Sequence, residues 1–362
     1  MLQAGGLTIP TDMVLLPGPN KPNDSISNHP TSNDRESFYV PDYTFLIHHP
    51  PSNTHYLFDL GMRTDLQNLP PTLVKSILPV FHCTPLSAAA LLKQHGRADQ
   101  QPDKVKAVIF SHVHFDHLGD GAVEGFKKDV ELWVGPTCCT YARPGYPDEA
   151  DAPVLSDNFP TDGSRKIVEA YIPDELLERA GDSRVGKVAE GKKQGKYEGT
   201  TLQQGGGGER KEWMNLGCFP HAFDVFDDGS AYLIDAPGHS AGHQMMLVRV
   251  KINGDDDIAS TEDNFVLLAG DCFHHPALLK DPKRTARPPY AKSGMHLEPE
   301  VAIETMERTK MFSEKDNVFV LGAHDFSVGS AIAPGEKVIE GLVKMNDWRE
   351  KGWKTKAQAS LS

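Results

Sequence analysis

Ser111-His112-Val113-His114-Phe115-Asp116-His117-Leu118-Gly119-Asp120 decides how the chain is read. It follows Val105-Lys106-Ala107-Val108-Ile109-Phe110, a β-branched apolar run that reads as a buried strand. A strand that runs straight into clustered His and Asp sets those side chains on a loop at the rim of a sheet. His112 and His114 are two residues apart, so in extended chain they point the same way and can grip one ion. Asp116 and His117 follow the turn and can face a second ion beside the first. Imidazole and carboxylate suit zinc, and also iron or manganese. Solvated loop histidines are the plain alternative, but His-x-His-x-Asp-His between a buried strand and a Gly turn is too specific for it. The stretch reads as a metal site.

Three more strand ends deliver a His or Asp in the same way. Ala231 to Asp235 runs into Pro237-Gly238-His239, Asn264 to Ala269 into Gly270-Asp271, and Asn317 to Leu321 into Gly322-Ala323-His324. One such coincidence would mean nothing; four define a site at one edge of a sheet system. Five histidines and two aspartates suffice for two divalent ions with one bridging carboxylate. Asp59, after the strand His55 to Phe58, is either a turn residue or a carboxylate that holds a ligating histidine from behind. His243 reads as structural, and His48, His49 and His82 as surface or capping residues.

Composition narrows the partners. The chain has 362 residues, 39% apolar and 24% charged, with a net charge of −13. An acidic chain without a basic stripe is a poor match for nucleic acid, so a small-molecule substrate is expected. Five cysteines without regular spacing are no disulfide framework. No apolar run approaches a membrane span and no leader pattern stands at the N-terminus, which makes a cytoplasmic location the expectation. Oligomeric state is open.

The chain divides into an N-terminal arm (1–40), a main domain (41–348) and a C-terminal tail (349–362). Within the domain, 141–215 reads as an insertion that lids the site, with a helix at Pro173 to Arg179 and a pliant run at Gly205 to Gly208. Further helices are expected at Pro71 to Leu78, Leu86 to Gln94, Leu118 to Phe126, Pro299 to Phe312 and Glu336 to Trp348. The last carries an apolar stripe of Val338, Leu342 and Val343.

Asp59, then His112, His114, Asp116 and His117, then His239, Asp271 and His324 stand in an order that resembles the metallo-β-lactamase superfamily. The resemblance covers about residues 40 to 330 except 141–215. It implies an α/β fold, an αβ/βα four-layer sandwich with a dinuclear site at one edge. It assigns His112, His114 and His239 to one ion, Asp116, His117 and His324 to the other, and Asp271 to both; Zn2+ is expected, with Fe or Mn as alternatives. Two cations that share a water lower its pKa toward neutrality and make it a nucleophile, which points to hydrolysis, with Asp116 passing a proton to the leaving group.

Within the superfamily the chain is most similar to N-acyl homoserine lactonases and fungal lactamase- and lactonase-like hydrolases. The stretches that carry this are Leu57 to Gly61, Ser111 to Gly119, Pro237 to Gln244 and Leu268 to Asp271. Many of those lactonases have a Tyr three residues after the bridging Asp; here it is His274, a candidate hydrogen-bond donor to the substrate. The expected function is opening of a cyclic ester or amide: a lactone, lactam or cyclic carbamate. The alternative is a thioester hydrolase of glyoxalase II or polyketide thioesterase type, which shares the ligand set. A phosphodiesterase is disfavoured by the acidic charge, and a non-catalytic metal-binding protein by the complete ligand set.

Overall fold

The computed structural model describes residues 1–17, 35–120, 125–170, 212–251 and 263–360. Seven strands form the first sheet: β1 (Leu2–Pro10), β2 (Ser37–His49), β3 (Thr54–Phe58), β4 (His82–Pro85), β5 (Val105–Ile109), β6 (Glu131–Val134) and β7 (Lys166–Glu169). Its order is β4-β1-β2-β3-β5-β6-β7. Six form the second: β8 (Met214–Leu216), β9 (Phe219–Asp224), β10 (Ala231–Asp235), β11 (Gln244–Lys251), β12 (Asn264–Leu268) and β13 (Val318–Leu321), in the order β13-β12-β11-β10-β9-β8. Both sheets are mixed; β3, β5, β6 and β7 run parallel, as do β12 and β13.

The period of two in these runs sorts side chains into layers. Phe58, Ala107 and Ile109 face Leu233, Met246, Val266 and Leu321 of the other sheet in one core. Their neighbours Leu57, Val108 and Phe110 point the opposite way, onto Ala88 and Leu92 of the helix Ala88–His95. Met245, Leu267 and Val320 point away from the inter-sheet core onto Ala302, Ile303 and Met306 of the helix Pro299–Ser313. Burying one such aliphatic side chain is worth roughly 1.5–3 kcal/mol, so swapping the faces of a strand would forfeit several of these at once. Helix, sheet, sheet and helix make the four layers.

Several parts of the chain differ from the sequence reading. The first ten residues are not a surface arm: β1 is buried almost throughout and lies between β4 and β2. Its Gly and Pro content hid it, and Gly5, at φ 101°, sits in a bulge where β1 carries one residue more than β2. Residues 336–348 are not helical. Gly335 and Gly341 take positive φ, the Ile339 N–H donates to the Gln3 side chain and the Val343 N–H to the Met1 carbonyl. Ile339, Met345 and Trp348 still enter the core, and the helix comes later, at Trp353–Ala359, within the expected tail. Inside 141–215, β7 extends the first sheet; the helix at 173–179 and the glycine run at 205–208 lie outside the described residues, as do residues 121–124 of the helix expected at 118–126, whose described residues 118–120 and 125–126 are not helical. His49 is not a surface or capping residue: it is buried, bonded to Asp228 and stacked on Phe226.

β7 ends in Glu169, 1% exposed, whose Oε1 accepts the Cys139 N–H at 2.8 Å while Oε2 makes no hydrogen bond among the described residues. Burial pushes this carboxyl up from 4.5 to about 8. A raised folded-state value means stability is full below pH 4.5 and drains away as pH climbs through about 8. Glu169→Gln keeps the acceptor and removes the ionisation. Thermal melts between pH 5 and 9 are expected to show the variant losing less stability than the parent, by on the order of 4 kcal/mol at most. Parallel curves would mean the carboxyl is not held neutral.

Candidate metal centre

All the residues singled out at strand ends meet at one rim. β3 and β5 are parallel neighbours, so Asp59 and Ser111 leave adjacent strands side by side. Across the gap between the sheets, Gln244 N–H donates to the Ser111 carbonyl and its side chain to the Phe110 carbonyl, each at 2.8 Å. β12 and β13, again parallel neighbours, bring Asp271 and His324 together, with the Ala323 N–H on the Gly270 carbonyl. Gly270 is obligatory here: its φ is 50°, and a Cβ would stand 2.7 Å from Ser111 Cβ.

Two groups of donor atoms result. His112, His114, His239 and Asp271 form one; Asp116, His117, Asp271 and His324 form the other, and within each group the candidate ligand atoms lie within 4.8 Å of one another. Asp271 belongs to both. Its Oδ2 lies 3.5 Å from His239 Nε2 and 3.8 Å from His112 Nε2, its Oδ1 3.2 Å from His117 Nε2 and 3.3 Å from His324 Nε2. In the first group His239 Nε2 is 3.1 Å from His112 Nε2 and 3.0 Å from His114 Nδ1. In the second, His324 Nε2 is 3.4 Å from Asp116 Oδ2.

The imidazoles are held from behind. His117 Nδ1–H donates to Asp59 Oδ2 at 2.9 Å, and His324 Nδ1–H to the Pro41 carbonyl at 2.9 Å. Asp59 also accepts the Ser111 N–H at 2.6 Å and the Ser111 hydroxyl at 2.7 Å, so that hydroxyl is left to accept from His112 Nδ1–H at 3.0 Å. With Nδ1 carrying the proton, Nε2 of each ring presents a lone pair to the group. His243 stays outside both groups: its Nδ1–H donates to the Ala236 carbonyl and its Nε2 accepts the Asp271 N–H, which fixes the Asp271 main chain.

Electrostatics separate the two groups. Burial, then the neighbouring imidazoles, hold His112 and His239 well below the ordinary histidine value, and burial lowers His114, so these rings are neutral donors. Burial also opposes charge on His117 and His324, but Asp271 with Asp59 raises the first and Asp271 with Asp116 the second well above that value. The second group thus needs positive charge among its carboxylates. His117 Nε2, His324 Nε2 and Asp271 Oδ1 are buried and make no hydrogen bond among the described residues. Buried polar atoms without a partner are rare, and nitrogen and carboxylate donors facing one point suit a divalent cation. The residues fit the metal the sequence implies.

Three residues at the site escaped the sequence reading. Ser111 has the hydrogen bonds given above. Asp42 lies in β2 opposite the bulge, wholly buried with neither oxygen hydrogen-bonded, and burial raises it to about 8 despite His324 and His117. Being the single acid of its strand was its only signal. His296 joins His239 and His274 in a third cluster of ring nitrogens within 4.8 Å. His274 itself is 1% exposed, its Nε2 3.1 Å from Asp271 Oδ2.

Residues 41–191 match the family model described as metallo-beta-lactamase superfamily. The gamma-lactamase MBL2 of Gibberella moniliformis is 32% identical over 222 residues, which cover 60% of this chain and 70% of that protein. The chain belongs to the metallo-beta-lactamase superfamily. The cytochrome P450 monooxygenase mpaDE of Penicillium roqueforti is 30% identical over 331 residues, which cover 87% of this chain and 32% of that protein; the chain therefore spans about a third of that relative's length. Among solved structures, an N-acyl homoserine lactone hydrolase with N-hexanoyl-L-homoserine at its catalytic metal center superposes with a TM-score of 0.52 at 16% identity, over 89% of this chain and 91% of the other. At that identity the likeness shows the metallo-beta-lactamase fold, with its two mixed sheets and flanking helices. Relatives of the superfamily are named as hydrolases and lactamases, and the group is one of divalent-metal proteins.

Proposed function

We propose that this chain is a dinuclear metal-dependent hydrolase that opens a cyclic ester or amide: a lactone, lactam or cyclic carbamate. The observation that carries the proposal is the pair of four-residue donor groups that share Asp271. His112, His114 and His239 would hold one ion, Asp116, His117 and His324 the other, and Asp271 both, with Zn2+ as the metal of choice for this donor set. Two bound cations would activate a water near neutral pH and polarise the scissile carbonyl.

The chain's own residues supply the rest. Asp59, Ser111 and the Pro41 carbonyl hold the imidazoles in the Nε2-facing tautomer, so the donors need no rearrangement when the site fills. Asp116 keeps its carboxylate ionised because His324 and His117 outweigh the cost of its burial. It can therefore take a proton and return it to the oxygen or nitrogen released when the ring opens. Among the described residues His274 makes no hydrogen bond, leaving a ring nitrogen to donate to the substrate carbonyl where lactonases of the superfamily use Tyr. Relatives named gamma-lactamase support a ring amide or ester as the substrate. No helix among the described residues is long and apolar enough to cross a membrane.

The test is metal analysis and turnover on one purified sample. Acyl homoserine lactones, a bicyclic lactone, a lactam, a cyclic carbamate, a glutathione thioester and a phosphodiester make the panel. About two zinc-like ions per chain with ring opening is expected. Thioester cleavage alone would replace the substrate class, and a chain that takes up no metal would end the proposal.

A further inference from the structure

We infer that His296 is a positioning residue that sets the tautomer of His239, and so the affinity of the first metal position, by accepting a hydrogen bond on its Nδ1. The inference rests on the metal-centre reading above. Of the four rings that turn Nε2 into the two groups, three have an oxygen behind them: the Ser111 hydroxyl, the Asp59 carboxylate and the Pro41 carbonyl. His239 has a nitrogen instead, His296 Nδ1 at 3.3 Å from His239 Nδ1. Two ring nitrogens can share a hydrogen bond only if one carries the proton. With His239 Nε2 among His112, His114 and Asp271, the proton belongs on His239 Nδ1, and His296 Nδ1 is the acceptor.

The backbone builds this pairing. Leu297 N–H donates to the His239 carbonyl at 3.0 Å and Glu298 N–H to the Gly238 carbonyl at 2.9 Å, so the segment that carries His296 is clamped to the turn that carries His239. Both rings are buried, and they cross edge to face with centroids 5.1 Å apart. A third ion among His239, His274 and His296 is the competing reading of the same cluster. It fails on donors: once His239 turns Nε2 to the first group, its Nδ1 bears the proton and has no lone pair, leaving two imidazoles, too few for a closed site. An acceptor nitrogen is also a weaker and more geometry-dependent partner than a carboxylate, which makes the position sensitive to what stands at 296.

Asparagine and glutamine separate the acceptor from mere space filling. The amide oxygen of Asn reaches about the place of histidine Nδ1; that of Gln reaches about the place of Nε2. In the full chain, Zn2+ affinity is read by chelator competition, and Co2+ loading by its visible absorption, for wild type, His296→Ala, His296→Asn and His296→Gln. Expected is a loss of about 10- to 100-fold at one of two positions for Ala and Gln, with Asn close to wild type. The other position keeps its affinity in all four. If Ala does not fold, the Asn and Gln pair still decides. Wild-type affinity at both positions in His296→Ala, or rescue by Gln rather than Asn, overturns the inference while the metal centre stands. A wild-type chain that binds no Zn2+ or Co2+ overturns the metal centre and the inference with it.

Discussion

Asp271→Ala is expected to empty both metal positions at once and to lower ring-opening turnover by about 1,000-fold or more, since the several kcal/mol of charge stabilisation supplied by the ions would go with them. No other residue stands in both donor groups. Its Oδ2 faces the first and its Oδ1 the second, so one truncation removes a ligand from each. The main chain should tolerate the change, because the Asp271 N–H, not the side chain, makes the bond to His243. Metal content measured after gel filtration should fall from about two ions per chain toward none, whereas His324→Ala should spare the first position. A variant that retained two ions and wild-type turnover would show that the two groups are not joined through Asp271.

Asp59→Asn should weaken the second position by about 10- to 100-fold while leaving the backbone in place. Asp59 sits at φ 59°, a left-handed conformation that Asn tolerates better than any other non-glycine residue except Asp. The chemistry is what changes. Three donors converge on its carboxylate: the Ser111 N–H, the Ser111 hydroxyl and His117 Nδ1–H. An amide has one oxygen, so its NH2 must face a donor. Either His117 moves its proton to Nε2 and ceases to be a ligand, or a buried donor is left unpaired at about 1–3 kcal/mol. Zinc titration resolves the two positions, and thermal melting of the metal-free chain reports the second cost. Unchanged affinity at both positions would remove Asp59 from control of His117.

Much of the arrangement could be read along the chain because the signals are local. Short apolar runs mark β5, β10, β12 and β13, and a His or Asp within a few residues after each marks a rim position. Likewise the 15-residue helix Pro299–Ser313 has a Pro at its start and apolar residues at helical spacing. The failures share a cause. β1 and residues 336–348 owe their conformation to distant partners: Gln3 takes the Ile339 N–H and the Met1 carbonyl the Val343 N–H, contacts more than 330 residues apart along the chain. No window of sequence contains both halves of such a bond, so local propensity suggested a helix where tertiary bonding made none.

The same distinction runs through the site. The sequence by itself determined which residue types stand at which strand ends, and hence the donor set and the family. Only the tertiary structure decided that Asp271 divides its two oxygens between the groups, that Asp59 serves Ser111 and His117 together, that Asp42 is buried nearby, and that His296 stands behind His239. A lone histidine or aspartate carries no mark of its partner. Hydrogen bonds and charge act over a few ångströms of space, and which atoms come that close is set by how the two sheets meet.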